Sequence, residues 1–300
     1  MATLAPTDVT LDRLARSSAS SSPRPQRSLL PSVSAELYKV ARRPATWLLA
    51  GFFALVIVIF NDIVGPIAVR SMSSSDPDLA LFRDGYRLEF FSSSALGIVA
   101  SLGGPIALIM GALISGSEYG WNTFKTVLTT GPSRLGILGG KVVALAVVVT
   151  GFVAVGWIAA AAGSLVVSAI DGTPVDAPSL GNLVGGLAAG WLIAVVWAIA
   201  GLALGLIFRS TTAPIGLGLI WGLAVENLIS GFGGSISFFH TLERYLVGPN
   251  AGAVANAVKG TVTTADGIQL SATHGVLVLA GYAVVLGGIA AALFRRRDLA

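Results

Sequence analysis

The sequence predicts an all-α polytopic membrane protein with six transmembrane helices and both termini in the cytosol, and three observations carry that expectation. Only 11% of the 300 residues are charged, 54% are hydrophobic, and mean hydropathy is +0.81. A soluble domain carries roughly a quarter charged residues, because its surface must stay in water. The apolar excess is segmental, and several uncharged runs exceed the roughly 20 residues needed to cross the hydrocarbon core. Lys and Arg are shared unevenly among the polar patches between those runs.

Residues 1–31 hold the Ser/Pro/Arg-rich stretch SSASSSPRPQRS and no apolar block. They read as a disordered cytosolic tail that buries too little surface to offset its ordering entropy. No apolar h-region of a signal peptide occurs before Trp47. In residues 32–43, Val33, Leu37, Val40 and Ala41 recur at helical spacing, with Glu36, Lys39 and Arg42 elsewhere. This pattern predicts a short amphipathic helix on the membrane surface, or else an extension of the first span. Pro44 marks a break or a fresh helix start.

The six-span region, 44–300, begins with a first span over about 44–64, with Asn61 and Asp62 at its far end where water should begin. Residues 70–89 mix both charge signs and read as an exposed loop. The second span covers 91–115, and Gly103-Gly104-Pro105 predicts a kink in it. The third, 137–170, is longer than a straight crossing needs and must tilt or project. An acidic turn, DGTPVDAP, leads to the fourth span at 182–208, and Arg209-Ser210-Thr211-Thr212 turns tightly into the fifth at 213–229. Residues 230–272 are Gly-rich and only moderately apolar, so element boundaries there are the hardest to draw. The sixth span, 275–294, ends at three arginines. Small-xxx-small pairs (Gly181/Gly185, Gly186/Gly190, Gly201/Gly205 and Gly218/Gly222) favour close helix packing in lipid.

Orientation follows from the cations. Fourteen Lys and Arg fall in the N-terminal segment, the 115–141 loop, Arg209 and the C-terminal end, against five in the alternate loops. The positive side is cytosolic, which puts both termini inside.

Several chemistries are excluded. The chain has no Cys and two His, so thiolate sites and disulfides are ruled out and a metal site is not expected. Gly139-Gly140-Lys141 is not a phosphate loop: Leu135 stands where the first glycine belongs, and Val142 replaces the Ser or Thr that holds magnesium. H-E-x-x-H and G-x-S-x-G are both absent. The sequence therefore predicts no catalytic residue, no cofactor and no nucleic-acid partner.

The most informative segment is GSEYGWNTFKTVLTTGPSRLGILGGK at 116–141. Trp121, Phe124 and Leu128 would share one face of a short helix, Asn122, Lys125 and Thr129 would point elsewhere, and Gly131-Pro132 would end it. Such a face either docks into a groove on a soluble partner or rests in the lipid interface, where Trp is at home. The residues alone leave both readings open.

With ELYKVARRPATW before the first span, this loop motif and six spans, the chain resembles ABC-2 type permeases, the membrane subunits of bacterial ABC exporters. The resemblance runs through nearly the whole chain after residue 32; the N-terminal tail is not part of it. It implies a multi-pass protein of the bacterial plasma (inner) membrane, working with a separate cytosolic ABC ATPase and a second permease chain, the same or different. Residues 33–43 would be the interfacial connecting helix, with Val33, Leu37, Val40, Arg42 and Arg43 on it. Residues 120–129 would be the coupling helix seated in the ATPase, with Trp121, Asn122, Thr123, Phe124, Lys125, Val127 and Leu128 as docking residues. Glu118 matches the acidic position just before that helix, where the plain alternative is interaction with a helix N-terminus. The stretch 230–272 matches the external segment between the last two spans.

Glu226 and Asn227 fall near the outer half of the fifth span. A carboxylate in hydrocarbon is expensive and should face a partner or a water-filled path. The resemblance favours a structural or pathway role; proton coupling is the sharper alternative, although no His or Lys ladder accompanies Glu226. His274 reads as an interfacial residue. Spans rich in Ala, Val, Leu and Gly suit a hydrophobic or amphipathic cargo, such as a drug or peptide antibiotic. Two rivals remain: an ion-driven secondary transporter, which should show repeats with broken helices, and a membrane subunit that senses or anchors without transport.

Overall fold

A computed structural model describes residues 29–76, 79, 83, 85–120, 134–233, 235–259 and 270–296. The described chain is helical apart from turns and connections, and six helices are long and apolar enough to cross a membrane. In chain order the elements are α1 (Leu29–Ala41), α2 (Pro44–Ser71), α3 (Leu88–Ser117, continuing to Gly120), α4 (Arg134–Asp171), α5 (Leu180–Phe208), α6 (Thr212–Gly233), two short helices α7 (Ser237–Glu243) and α8 (Val247–Lys259), and α9 (Ala272–Arg296). The six spans are α2, α3, α4, α5, α6 and α9.

The centre of the bundle is α3 and α5. In the apolar stretch of α3, 61% of residues are buried, and in that of α5, 56%, against 17% in α6 and 11% in α9. The peripheral helices instead expose Leu223, Leu228, Leu277 and Val284, an apolar surface suited to lipid or to another apolar surface rather than to water. Helix contacts in lipid lack a hydrophobic driving force and depend on close van der Waals fit. Here glycine provides it. A Cβ on Gly111 of α3 would strike the Ala198 carbonyl oxygen of α5, and one on Gly201 of α5 would strike the Leu108 carbonyl oxygen of α3. The two backbones therefore touch from both sides.

Aromatic side chains fill the remaining glycine notches. Trp197 of α5 lies against Gly104 of α3 and Gly222 of α6, and Trp157 of α4 against Gly190 of α5. Trp157 Nε1 also donates to Ser92 Oγ at 3.0 Å, and Ser92 donates to the Asn182 carbonyl at 3.2 Å, so three spans share one polar chain. Phe53 of α2 is fully buried, stacks on Phe152 of α4 at 4.0 Å between centroids, and packs on Gly103 and Gly156. Of the four small-residue pairs, 186/190, 201/205 and 218/222 make close contacts. A Cβ on Gly181 would meet nothing within 4 Å, and one on Gly185 would reach Val258 at 3.9 Å.

The expected kink at Gly103-Gly104-Pro105 is a π-helical segment, Val99–Gly103. The same device occurs at Val58–Val64, just before Gly65-Pro66. Proline cannot donate to the residue four before it, and widening the preceding turn accommodates the lost bond. A third π segment, Ile220–Val225, ends at Glu226 without a proline.

The first span differs from expectation. α2 runs to Ser71 rather than ending near residue 64, so Asn61 and Asp62 lie within the helix and not at its water end. One bond joins the two: Asn61 Nδ2 donates to Asp62 Oδ1 at 2.7 Å, with Asn61 buried, while Asp62 Oδ2 is buried with no hydrogen-bond partner among the described residues. α4 spans 38 residues, about 57 Å at 1.5 Å per residue, and so projects well past a hydrocarbon core of about 30 Å. α5 closes at Arg209, whose φ of 51° is the left-handed cap of the expected tight turn.

Contacts sort the connections into two ends. Arg43 bonds the Leu113 carbonyl and Gly116 packs on Ser210, which brings the start of α2, the end of α3 and the α5–α6 turn together. At the opposite end Arg70 pairs with Asp171, and Arg87 with Asp176. This alternation is what an even-spanning bundle requires.

Leucine at Gly111 or Gly201 must push two backbones apart, and overpacking of this kind costs about 1–3 kcal/mol or more. Gly111→Leu and Gly201→Leu are expected to lose most of the monodisperse protein recovered in detergent and to lower its unfolding temperature. Gly151→Leu, at an exposed site with nothing within 4 Å, should behave as wild type in the same assay.

Candidate functional site

The densest concentration of buried charge lies where α1 meets the adjoining ends of α3 and α4. Gly139-Gly140 precedes Lys141, and the missing side chain at Gly140 admits α1: a Cβ there would lie 2.8 Å from Ser32 Cβ. The approach seals Lys141, which is fully buried. Its ammonium donates to Glu36 Oε2 at 3.2 Å and to the Ile114 carbonyl at 3.4 Å. Lys39 donates to the other Glu36 oxygen at 2.8 Å. One turn away, Arg43 Nη1 donates to the Leu113 carbonyl at 2.8 Å. Two cations therefore meet carbonyls in the last two turns of α3.

Glu36 was expected on the polar side of the amphipathic helix. It lies on the buried side instead, 5% exposed beside Val40 at 5%, with Val33 and Leu37 half-buried. The reason is electrostatic. A buried ammonium needs a counter-ion, and Glu36 is three residues after Val33 and four before Val40, on the same stripe. Arg42 is exposed, with its guanidinium 5.2 Å from the Tyr38 ring centroid. The pairing had a sequence signal: Lys141 is a lone cation entering a long apolar run, and Glu36 is the one carboxylate in the preceding amphipathic segment.

The expected docking residues Trp121, Asn122, Thr123, Phe124, Lys125, Val127 and Leu128 lie outside the described residues, as does the side chain of Glu118. What is described is the foundation of that segment. Its chain leaves from the end of α3 and returns at the start of α4; Lys141 ties both helices to each other and to α1, and Arg43 ties the end of α3 to the start of α2.

Glu226 occupies a different place. Only 3% exposed, it accepts from Trp221 Nε1 at 2.9 Å and from the Gly248 backbone N–H at 2.7 Å. The second bond caps the first turn of α8, where unpaired N–H groups and the dipole both favour an anion. Around it Tyr282 donates to the Tyr245 carbonyl at 3.0 Å, His274 Nε2 meets the Arg244 carbonyl at 3.0 Å, and Asn250 donates to the Arg244 and Leu246 carbonyls. α8 then packs on α9, α5 and the first half of α3. Asn227 donates to carbonyls of its own helix. Among the described residues no three His, Asp or Glu side chains gather as metal ligands.

These features define a multi-pass α-helical membrane protein whose charged groups hold helices together at one end of the bundle. The chain belongs to the ABC-2 family of transporter proteins: the family profile, described as "ABC-2 family transporter protein", matches residues 32–225. The match takes in α1 and the first four spans and stops just before Glu226, within α6. No curated protein matches the chain.

Removing one partner of a buried ion pair costs about 3–5 kcal/mol, whereas replacing both with apolar residues is often nearly neutral. Glu36→Leu and Lys141→Met alone are each expected to lower the unfolding temperature in detergent markedly, and the double variant to recover most of the loss; additive losses would contradict direct coupling. Glu226→Ala removes two charge-assisted hydrogen bonds and should raise hydrogen exchange across 247–259 while leaving α3 and α5 protected.

Proposed function

We propose that the chain is the permease subunit of an ABC-2 type exporter, with no ATPase site of its own, that couples ATP hydrolysis by a separate cytosolic ATPase subunit to outward movement of a substrate. The observation that carries this reading is the junction of α1, α3 and α4 at the root of the 121–133 segment. A helix held there by an ATPase would move these three elements together, because buried ion pairs and backbone bonds leave no slack between them. Membership of the family supports an ABC ATPase as the partner.

In this account the end of the bundle bearing α1 faces the cytosol of a bacterium and both termini are cytosolic, in keeping with the excess of Lys and Arg on that side. Two permease chains pair and the substrate passes between them. Trp121, Phe124 and Leu128 seat in the ATPase, with Asn122, Thr123, Lys125 and Val127 around them and Glu118 at the approach. α1 lies along the membrane surface, and Glu226 fastens the external segment. The cargo is hydrophobic or amphipathic, of the drug or peptide-antibiotic kind. An ion-driven carrier fits less well: Glu226 is held by an indole and a backbone N–H in a capping arrangement, and among the described residues it hydrogen-bonds no other titratable side chain.

Replacing Trp121 and Phe124 with Ala should reduce co-purification of the partner ATPase at least tenfold while leaving membrane insertion intact. An unchanged pull-down removes the docking role. Vesicles holding this chain alone should not move substrate down an ion gradient; if they do, the exporter reading is wrong.

A further inference from the structure

At the end of the bundle opposite Lys141, the last turns of α2, the approach to α3 and the end of α4 line a half-open cavity of about 610 Å³. That lies within the range of roughly 300–1,000 Å³ typical of small-ligand sites. Its walls are of two kinds. Pro66, Val69 and Val167 contribute apolar lining; Arg70, Arg83 and Arg87 bring three guanidiniums, and among the described lining residues Asp171 brings one carboxylate. Arg70 holds Asp171 at 2.5 Å and Arg87 holds Asp176 at 3.2 Å, both exposed pairs of the weak kind. Arg83 makes no ion pair among the described residues.

Two further groups point to a ligand. Ser168 lines the cavity, is 1% exposed, and its hydroxyl has no hydrogen-bond partner among the described residues. Tyr86 lines it too, its ring seated against Gly65 so closely that no side chain fits there. Burial pushes the Tyr86 phenol above its usual range, so it remains a neutral donor. On the same part of α2, Val64 and Ile67 are exposed apolar side chains.

We propose that this cavity binds the phosphate group of an anionic amphipath, of which an anionic phospholipid is the type, with its chains lying along the exposed side of α2. Arginine forks suit phosphate because they offer paired N–H donors in a fixed plane. A phosphate displaces the exposed Asp171 and Asp176 carboxylates from their arginines, while Arg83 and the Ser168 and Tyr86 hydroxyls donate to it. Neither the ATPase reading nor the direction of transport is needed for this assignment.

The test uses the full chain in detergent, with retained lipid counted by native mass spectrometry. Phosphatidylglycerol is expected to be retained about tenfold more tightly than phosphatidylcholine, and the preference to shrink at high salt. R83Q/R87Q should abolish the preference, whereas R209Q, at the opposite end of the bundle, should keep it. Inorganic phosphate separates the sources. Displacement of phosphatidylglycerol by millimolar phosphate assigns the recognition to the head group alone, and resistance to it assigns a share to the chains. Equal retention of the two lipids by the wild-type chain overturns the proposal, and this comparison needs no variant to fold. A preference that survives R83Q/R87Q overturns it as well.

Discussion

The ion pair between Glu36 and Lys141 is the contact on which the arrangement of this end of the molecule depends. A fully buried ammonium is tolerable only with a counter-ion and further acceptors at hand, and α1 is the element that brings the counter-ion. Without α1 lying along α4, Lys141 loses Glu36 and the lid that excludes water. Without Lys141, the side of α1 that carries Glu36 has no reason to face inward. The same geometry presents Lys141 to the Ile114 carbonyl and Arg43 to Leu113, so the first helix, the end of the second span and the start of the third are fixed by one set of bonds.

What lies behind that junction is stiff. The reciprocal contacts at Gly111 and Gly201 leave α3 and α5 no room to slide without backbone collision, and Trp157, Trp197 and Phe53 fill notches that a methyl group would close. Packing of this density moves in discrete steps and resists gradual deformation. In the proposed mechanism a displacement at the junction is passed on by α3 to the middle of the bundle. The more lightly packed α6 and α9 are tied at the far end through Glu226, Tyr282 and His274 to the short helices between them.

The six spans were legible because hydropathy is additive along the chain: the long uncharged runs could have no other fate. Close packing at 186/190, 201/205 and 218/222 was legible too, although nothing in the pattern separates these from 181/185, where an added Cβ would meet at most Val258 at 3.9 Å; that depends on which side of α5 meets which neighbour. The end of the first span was misjudged because Asn61 and Asp62 look like surface residues one at a time, whereas they bond to each other inside a widened helix. Glu36 was misplaced for a related reason. Sorting a short helix into apolar and charged faces assigns each charge to water, and only the distant Lys141 reverses that assignment. The side chains expected to meet the ATPase lie outside the described residues, so the sequence remains the sole source for them.

The central claim, that α1 and α4 behave as one body at the junction, is open to a direct measurement because the chain contains no cysteine. Ser32→Cys with Gly140→Cys puts two thiols on facing helices, where a Cβ on Gly140 would lie 2.8 Å from that of Ser32. The helices need part by only about 1 Å to reach disulfide geometry. The account expects rapid, complete cross-linking of the pair in native membranes, with ATP-driven substrate export in the assembled complex the same before and after oxidation. Failure to cross-link, or export abolished by the disulfide and restored by reduction, would contradict it.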